Sequence, residues 1–584
     1  MPRIAVIEKD KCNPTGCGGY LCIRTCPLNR AGKEAIVVGA DGKAEIHEEV
    51  VNDACQVCVK ICPYGAIHMV NLPSEVGNPL HKYGRDGFRL YSLPYPIFGK
   101  VVGILGVNGI GKSVAIKILA QVESPNFARD KPADMQEIID HFKGTEAQLF
   151  FQKVRDGNIK VAYKPQAVDL LPRAAAGKVR DLLLKVDEQG RFEKVVSDLE
   201  LKDFLDNELS QISGGELQRV ALAATALKAA NLFIFDEPST YLDIRQRIKM
   251  SGFVQSLSTA DSGVIAVEHD LIILDYIADL VHVMYGESGA YGVVSLPKAT
   301  RNAINSYLAG MLREENVRFR AYPIKFKQGL PQSAGKPIRL VGWTEVKKAL
   351  GSFSLSAEPG SFNRHEVVGI VGENGIGKTT FIRMLAGVLK QDSGELDSQV
   401  KVSYKAQYIS TESEESVASI LSNAVDKHEA RIIRPLDLKN LLLRPLSKLS
   451  GGELQRVAIA ACLAREADLY LLDEPSAYLD VEQRLLVAKV IREFADTFGK
   501  TAVVVDHDLL FIDQISDRLM VFTGRPAVSG HATGPLPVED GMNSFLAELG
   551  ITMRRDPESK RPRINKQDSQ LDRKQRAEGK LYGG

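Results

Sequence analysis

The chain has 584 residues, too many for one hydrophobic core, so roughly three to five folding units are expected. Apolar residues make up 44% and charged residues 25%, which excludes a disordered or fibrous chain. With 74 Lys and Arg against 73 Asp and Glu, the overall field neither favours nor excludes a polyanionic partner, so only local charge is informative.

No run of about 18 uncharged apolar residues occurs, and residues 1–10 lack the apolar core of a signal peptide. A cytoplasmic protein that neither spans a membrane nor is secreted is expected. Seven of the eight cysteines fall between Cys12 and Cys62, and Cys462 stands alone in an apolar helical stretch. In a reducing compartment such crowding points to metal rather than disulfides.

The cysteines form two groups, Cys12, Cys17, Cys22 and Cys26-Pro27, then Cys55, Cys58 and Cys62-Pro63. Each closes with C-x-x-x-C-P, a layout that resembles bacterial-type ferredoxins, and the proline after the last cysteine argues against the zinc alternative. The resemblance implies two iron-sulfur clusters, 4Fe-4S in type, with three cysteines of one group and the last of the other on each. Cys12, Cys17, Cys22 and Cys62 then hold the first, and Cys26, Cys55 and Cys58 the second. Where a fourth cysteine of the second cluster belongs, the chain has Asn52, with Asp53 beside it. A three-iron cluster, an oxygen ligand or a weakly held fourth iron all stay open there.

Most of the remaining chain is one block written twice, its landmarks in the same order. The first copy holds Gly106-Val-Asn108-Gly109-Ile-Gly111-Lys112-Ser113 and the second Gly372-Glu-Asn374-Gly375-Ile-Gly377-Lys378-Thr379, both fitting G-x-x-x-x-G-K-S/T. Each follows a short apolar strand and opens an amphipathic helix, the context that the phosphate-binding loop requires. Next come Tyr163-Lys-Pro-Gln166 and Tyr404-Lys-Ala-Gln407, then Ser213-Gly214-Gly215-Glu-Leu-Gln-Arg219 and Ser450-Gly451-Gly452-Glu-Leu-Gln-Arg456. Apolar strands then end in Asp236-Glu237 and Asp473-Glu474, and later strands lead to His269 and His507.

This ordered set resembles the ABC ATPases over residues 83–291 and 342–549. Loop amides, helix N-terminus and Lys112 or Lys378 would bind the ATP phosphates, and Ser113 or Thr379 would ligate Mg2+. The resemblance places Gln166 and Gln407 as the residues that sense metal and water. Asp236 and Asp473 would hold the metal through water, Glu237 and Glu474 would polarise the attacking water, and His269 and His507 would reach the phosphate. In this family Ser213, Gly214 and Gly215 complete the ATP site of Lys378, and Ser450, Gly451 and Gly452 that of Lys112, so the chain is expected to work as a monomer with an intramolecular ABC pair. Tyr83 and Phe88 are candidates to stack on adenine, with Phe353 a weaker counterpart; a core or edge role is the alternative for each.

The copies differ in one place. Lys112 to Gln166 spans 54 positions and Lys378 to Gln407 only 29, so the first copy carries about 25 extra residues near 126–160, which read as two short helices and a docking element.

Cysteine-rich segment and tandem ABC domains together resemble one subfamily, the ribosome-recycling ATPases of archaea and eukaryotes, also called the RNase L inhibitor family. Asn71-Leu-Pro, Tyr83-Gly-Arg-Asp-Gly-Phe88, Glu315-Asn-Val-Arg-Phe-Arg320 and Arg561-Pro-Arg-Ile-Asn-Lys566 carry that resemblance, the last two as hinge segments. It implies ATP-driven splitting of ribosomes, with the small subunit and its rRNA, a release-factor-like protein and initiation factors as partners. The departures from the subfamily are Val114 after the first loop serine, Asn52, and Gly583-Gly584 at the end. A basic stretch at 554–580, ten Lys or Arg against five acids, suits rRNA phosphates or an acidic groove, with a solvated tail as the alternative. Alternatives of other classes are an ATPase serving a separate membrane transporter, a factor in iron-sulfur assembly or nucleic-acid repair, and a redox enzyme.

The expected fold class is α/β, two tandem P-loop ABC nucleotide-binding domains with a small N-terminal ferredoxin-like α+β domain. The expected division is 1–74 for the iron-sulfur domain, 75–310 and 336–549 for the ABC domains, 311–335 for a hinge, and 550–584 for a second hinge and basic tail.

Overall fold

The strands leading to the phosphate loops and the paired acids are five-residue apolar runs, and each is buried along its whole length (Val101–Leu105, Leu232–Asp236, Val367–Val371, Leu469–Asp473), as strands covered on both faces must be. The computed structural model describes residues 3–47, 50, 55–71, 77–84, 86–326, 338–397, 400–407 and 413–583. They fall into two compact units, Met1–Leu242 with Arg247–Ile324, and Asp243–Gln246 with Lys325–Gly584.

In the first unit a parallel core runs in the order Val161–Lys164, Leu232–Asp236, Gly263–Val267, Val101–Leu105, Leu280–Glu287. Tyr291–Val294 returns antiparallel, and Arg89–Leu90 and His81–Lys82 extend that edge. The second unit repeats the plan with Val402–Lys405, Leu469–Asp473, Thr501–Val505, Val367–Val371 and Arg518–Arg525, then Ser529–Pro537, Phe353–Ala357 and Val346–Leu350. Asp236 stands opposite Val267 and Asp473 opposite Val505, so both acids reach the carboxyl edge of their sheet beside the phosphate loop, where open α/β sheets bind ligands.

Helices Lys112–Leu119 and Lys378–Leu385 start directly at those loops. The first buries Ala115, Ile116, Ile118 and Leu119 against the sheet, and truncating one such side chain, Ile116→Ala for example, costs about 2–5 kcal/mol. The extra residues of the first copy form helices Met135–His141 and Glu146–Arg155. Asp134 caps the earlier one through a capping box with Glu137, and Ile138, Ile139, Phe150, Phe151 and Val154 join the domain's main core. The insertion is therefore part of the domain's packing, although Leu149 is left exposed.

At the N-terminus Arg3–Ile7 pairs antiparallel with Ile67–Asn71, and Ile36–Val38 with Ala44–Ile46. Each cysteine group leads into a short helix, Leu21–Thr25 or Val57–Ile61. This small layer is tied to the ABC domain of its own unit by Asp86, whose carbonyl accepts from Ile7 N–H and whose carboxylate accepts from Ile46 N–H. The span 311–335 opens as a hairpin of Met311–Leu312 and Val317–Arg318, with Arg320 buried against Tyr307; residues 327–335 lie outside the described part.

Beyond residue 550 the chain is folded. Met553–Arg555, Pro562–Ile564 and Tyr582–Gly583 make a three-stranded sheet, and Gln570–Glu578 is a helix. The alternative of a solvated tail does not hold, because Arg555 pairs with Asp513, Arg563 with Asp556 and Arg576 with Asp572, and Arg561 is fully buried. Lys566, Arg573, Lys574 and Lys580 stay exposed.

Candidate ATP and iron-sulfur sites

Glycines at 109, 111, 375 and 377 adopt left-handed backbone, which turns the loop's amides toward a common centre at the helix N-terminus. Lys112 Nζ donates to the carbonyls of Gly106 at 2.9 Å and Val107 at 2.7 Å and lies 3.4 Å from Asn108 Oδ1. Lys378 likewise donates to the carbonyls of Gly372, at 2.9 Å, and Glu373. Burial pushes Lys378 down to about 8, while Glu474 works the other way. An anion in the loop would satisfy such a cation better than carbonyls do.

Ser113 Oγ donates to Asp236 Oδ2 at 3.3 Å and Thr379 Oγ1 to Asp473 Oδ2 at 2.9 Å. Hydroxyl and carboxylate thus flank one spot, an all-oxygen donor pair that fits Mg2+. Burial and the adjacent glutamate raise both aspartates to about 6.

Glu237 and Glu474 are set differently. Burial would raise each carboxyl, yet the hydrogen bond and charge of His269 or His507, with Lys112 or Lys378, outweigh it and bring both down to about 2. His269 Nε2 lies 3.3 Å from Glu237 Oε1 and His507 Nε2 3.5 Å from Glu474 Oε1. Gln166 Nε2 donates to Glu237 Oε1 at 2.7 Å and Gln407 Nε2 to Glu474 Oε1 at 2.8 Å. A carboxylate so firmly ionised is suited to orienting and polarising a water rather than to keeping its proton.

Ser213 and Ser450 cap helices Gly214–Ala226 and Gly451–Leu463, each in a capping box with Glu216 or Glu453. Gly214 and Gly451 lie against the rings of Tyr241 and Tyr478, and a Cβ on Gly452 would stand 2.9 Å from the Tyr478 carbonyl. Phe88 and Phe353 occupy matching places, where a Cβ on Gly111 or Gly377 would come within 2.5 or 3.0 Å of the ring. Tyr83 instead lies edge-on to His81 and is 41% exposed.

Sequence reading missed several partners. Glu268 accepts from both N–H and O–H of Ser239, and Asp506 does the same for Ser476. Gly292 and Gly530 let the phosphate loop approach a neighbouring strand, where a Cβ would stand 2.1 or 2.0 Å from the carbonyl of Ile110 or Ile376. Buried Lys164 and Lys405, pushed down to about 8 by burial, donate to the carbonyls behind the paired acids. The duplicated Tyr-Lys pair before each glutamine was the available signal for them.

Among the cysteines, burial raises Cys22 to about 11, and Cys12, Cys62 and Cys17 add to it through their charge; for Cys58, also about 11, the neighbours are Cys55 and Cys26. Cys12, Cys17 and Cys62 are thus the neighbours of Cys22, and Cys26 and Cys55 those of Cys58, although among the described residues no three cysteines, histidines or acids stand close enough together to hold a metal ion. Backbone N–H groups point at sulfur, as Ala66 does to Cys62 at 3.4 Å. Cysteines beside backbone amides are the donor type that an iron-sulfur cluster needs. Asn52 and Asp53 lie outside the described residues. Cys462 is buried beside Ser403.

Two phosphate loops on P-loop sheets, each facing paired acids, a glutamine and a histidine, define a tandem ABC-type ATPase carrying a cysteine-rich domain. Residues 98–240 and 359–477 match the ABC transporter family, and residues 2–34 match a possible Fer4-like domain in RNase L inhibitor. An uncharacterized ABC transporter ATP-binding protein of Methanocaldococcus jannaschii is 49% identical over 99% of this chain and 97% of its own length. ABC transporter E family member 1 of Arabidopsis thaliana is 43% identical over 100% of this chain and 99% of its own. Ribosome-bound archaeal Pelota and ABCE1 gives a structural match at TM-score 0.93, with 50% identity and 99% of both chains covered. The archaeal ribosome recycling factor solved with ribosomal stalk protein aP1 matches at TM-score 0.83 and 50% identity, over 86% of this chain and 99% of that one. The chain belongs to the E family of ABC proteins, the RNase L inhibitor family.

Proposed function

We propose that this ATPase recycles ribosomes, splitting them into subunits by nucleotide-dependent closure of its two ABC domains. The observation that carries the reading is likeness along 99% of the chain to a ribosome-bound relative, with the phosphate loop, glutamine, Ser-Gly-Gly, paired acids and histidine present in both copies.

In each copy Lys112 or Lys378 and the loop amides bind the phosphates, with Ser113, Gln166 and Asp236, or Thr379, Gln407 and Asp473, around the metal. Bound Mg2+ supplies charge neutralisation at the phosphates. Glu237 and Glu474 orient the attacking water, and His269 and His507, beside those carboxylates, reach the phosphate. The serine and glycines at 213–215 and 450–452 serve the ATP of the opposite copy, so that binding drives closure and hydrolysis releases it.

The cysteine sets hold two iron-sulfur clusters, the second either three-iron or completed by a ligand other than cysteine. The partners are the small subunit with its rRNA, a release-factor-like protein and initiation factors, and the chain acts as a cytoplasmic monomer. Among the described residues no helix is long and apolar enough to cross a membrane.

Light scattering of purified archaeal ribosomes tests the reading. Addition of this protein, a release-factor-like protein and ATP lowers the signal to that of separated subunits; an unchanged signal under all nucleotide conditions contradicts it.

A further inference from the structure

Lys164 and Lys405 end the edge strands of the two ABC sheets and are 1% and 3% exposed. Lysine is seldom buried so deeply unless its donors are used. Here Lys164 Nζ donates to the carbonyls of Asp236 at 2.9 Å and Glu237 at 3.2 Å, and Lys405 Nζ to those of Asp473 at 2.7 Å and Glu474 at 3.3 Å. A second donor meets the same glutamate carbonyl from another direction, Gln218 Nε2 at 2.7 Å in one copy and Gln455 Nε2 at 2.6 Å in the other. Both glutamines are almost fully buried.

The peptide they hold is unusual. Glu237 and Glu474 each have φ +49°, a left-handed conformation that a residue with a side chain adopts only when its surroundings enforce it. That conformation fixes where the carboxylate points. The two donors come from segments that the proposed function assigns to nucleotide contact, since Gln218 lies on the helix capped by Ser213 and Lys164 stands two residues before Gln166, and the second copy repeats the arrangement.

We propose that Lys164 with Gln218, and Lys405 with Gln455, are positioning residues that lock the backbone of Glu237 and Glu474, so that the water-orienting carboxylate is in register only when the edge strand and the helix capped by Ser213 or Ser450 are both seated. The inference rests on the reading of those glutamates as the groups that orient water. Neither pair touches ATP, so their effect falls on turnover rather than on binding.

The test compares full-length protein carrying Lys164→Met with Lys405→Met against wild type and against Glu237→Gln with Glu474→Gln. Steady-state ATP turnover, binding of a fluorescent non-hydrolysable ATP analogue and thermal melting are read for each. The lysine variant should lose about ten- to hundredfold in kcat while KM and analogue affinity stay within about twofold. Unchanged kcat in the lysine variant, with turnover abolished by the glutamine substitutions, overturns the clamp and leaves the glutamate reading standing. Turnover that survives Glu237→Gln with Glu474→Gln overturns that reading and the clamp with it. A general loss of structure would move melting temperature and analogue affinity together. If the lysine variant does not fold, Gln218→Met with Gln455→Met decides by the same criterion, lowered kcat at preserved affinity supporting the clamp and unchanged kcat overturning it.

Discussion

The side-chain amide of Gln166 donates to Oε1 of Glu237 across 2.7 Å, and Gln407 stands in the same relation to Glu474 at 2.8 Å. Each glutamine therefore ties the loop after an edge strand to the carboxylate that would orient water. Gln166→Ala with Gln407→Ala should lower kcat by about tenfold or more and raise the Mg2+ concentration needed for half-maximal turnover, as measured by phosphate release over a Mg2+ series.

Glu268 is a buried acid beside His269 whose carboxyl is raised to about 7, because burial outweighs the hydrogen bonds from Ser239. In the unfolded chain the same group titrates near 4.5. Between those values the native state binds more protons than the unfolded one, so this group's contribution to stability is present at low pH and is lost as pH rises through about 7. Glu268→Gln removes that dependence. Relative to wild type the variant should gain stability with rising pH across this window, by up to roughly 3 kcal/mol, as read from denaturant unfolding of nucleotide-free protein at each pH.

Arg555 and Asp513 form a 2.8 Å pair with side chains only 17% and 4% exposed, and Tyr582 also donates to that aspartate. Arg555→Met leaves Asp513 buried with one partner fewer, at a cost of about 2–3 kcal/mol. Lys574→Ala, on the exposed face of the neighbouring helix, should stay within about 0.5 kcal/mol of wild type. Thermal melts of the two variants separate a folded terminal subdomain from a solvated tail.

The cysteine sets are tested by metal analysis. Cys22→Ser should remove the cluster held by Cys12, Cys17, Cys22 and Cys62, and Cys58→Ser the other, each leaving about half of the iron and of the visible charge-transfer absorbance. Loss of all iron from either variant would show that the two sets are not independent.

Much of the ATP site is legible because its chemistry needs fixed residue types at fixed spacing. Glycines in the loop, a lysine after them and acids at a strand end are visible in any single copy, and duplication removes chance as an explanation. The partners behind the site are not legible in this way. Gln218 reads as an ordinary helix residue until the fold brings its amide to the Glu237 carbonyl, and Gly292 gives no sign that Ile110 packs against its Cα. Lys164 sits in a strand whose edge position no local pattern reveals. The terminal stretch is legible only in part: its excess of Lys and Arg leaves an rRNA surface, an acidic groove and a solvated tail all open, and although Asp556 and Asp572 lie within the stretch, only tertiary contact brings Asp513 to Arg555.

The central claim is that ATP-driven closure of this chain splits ribosomes, and sucrose-gradient sedimentation of purified ribosomes with Glu237→Gln, Glu474→Gln protein tests it most directly. With ATP the trapped protein should co-sediment with small subunits while the peak of whole ribosomes declines, and wild-type protein with ATP should produce the same decline without being retained. Absence of the protein from every ribosomal fraction, with ATP or with a non-hydrolysable analogue, would contradict the account.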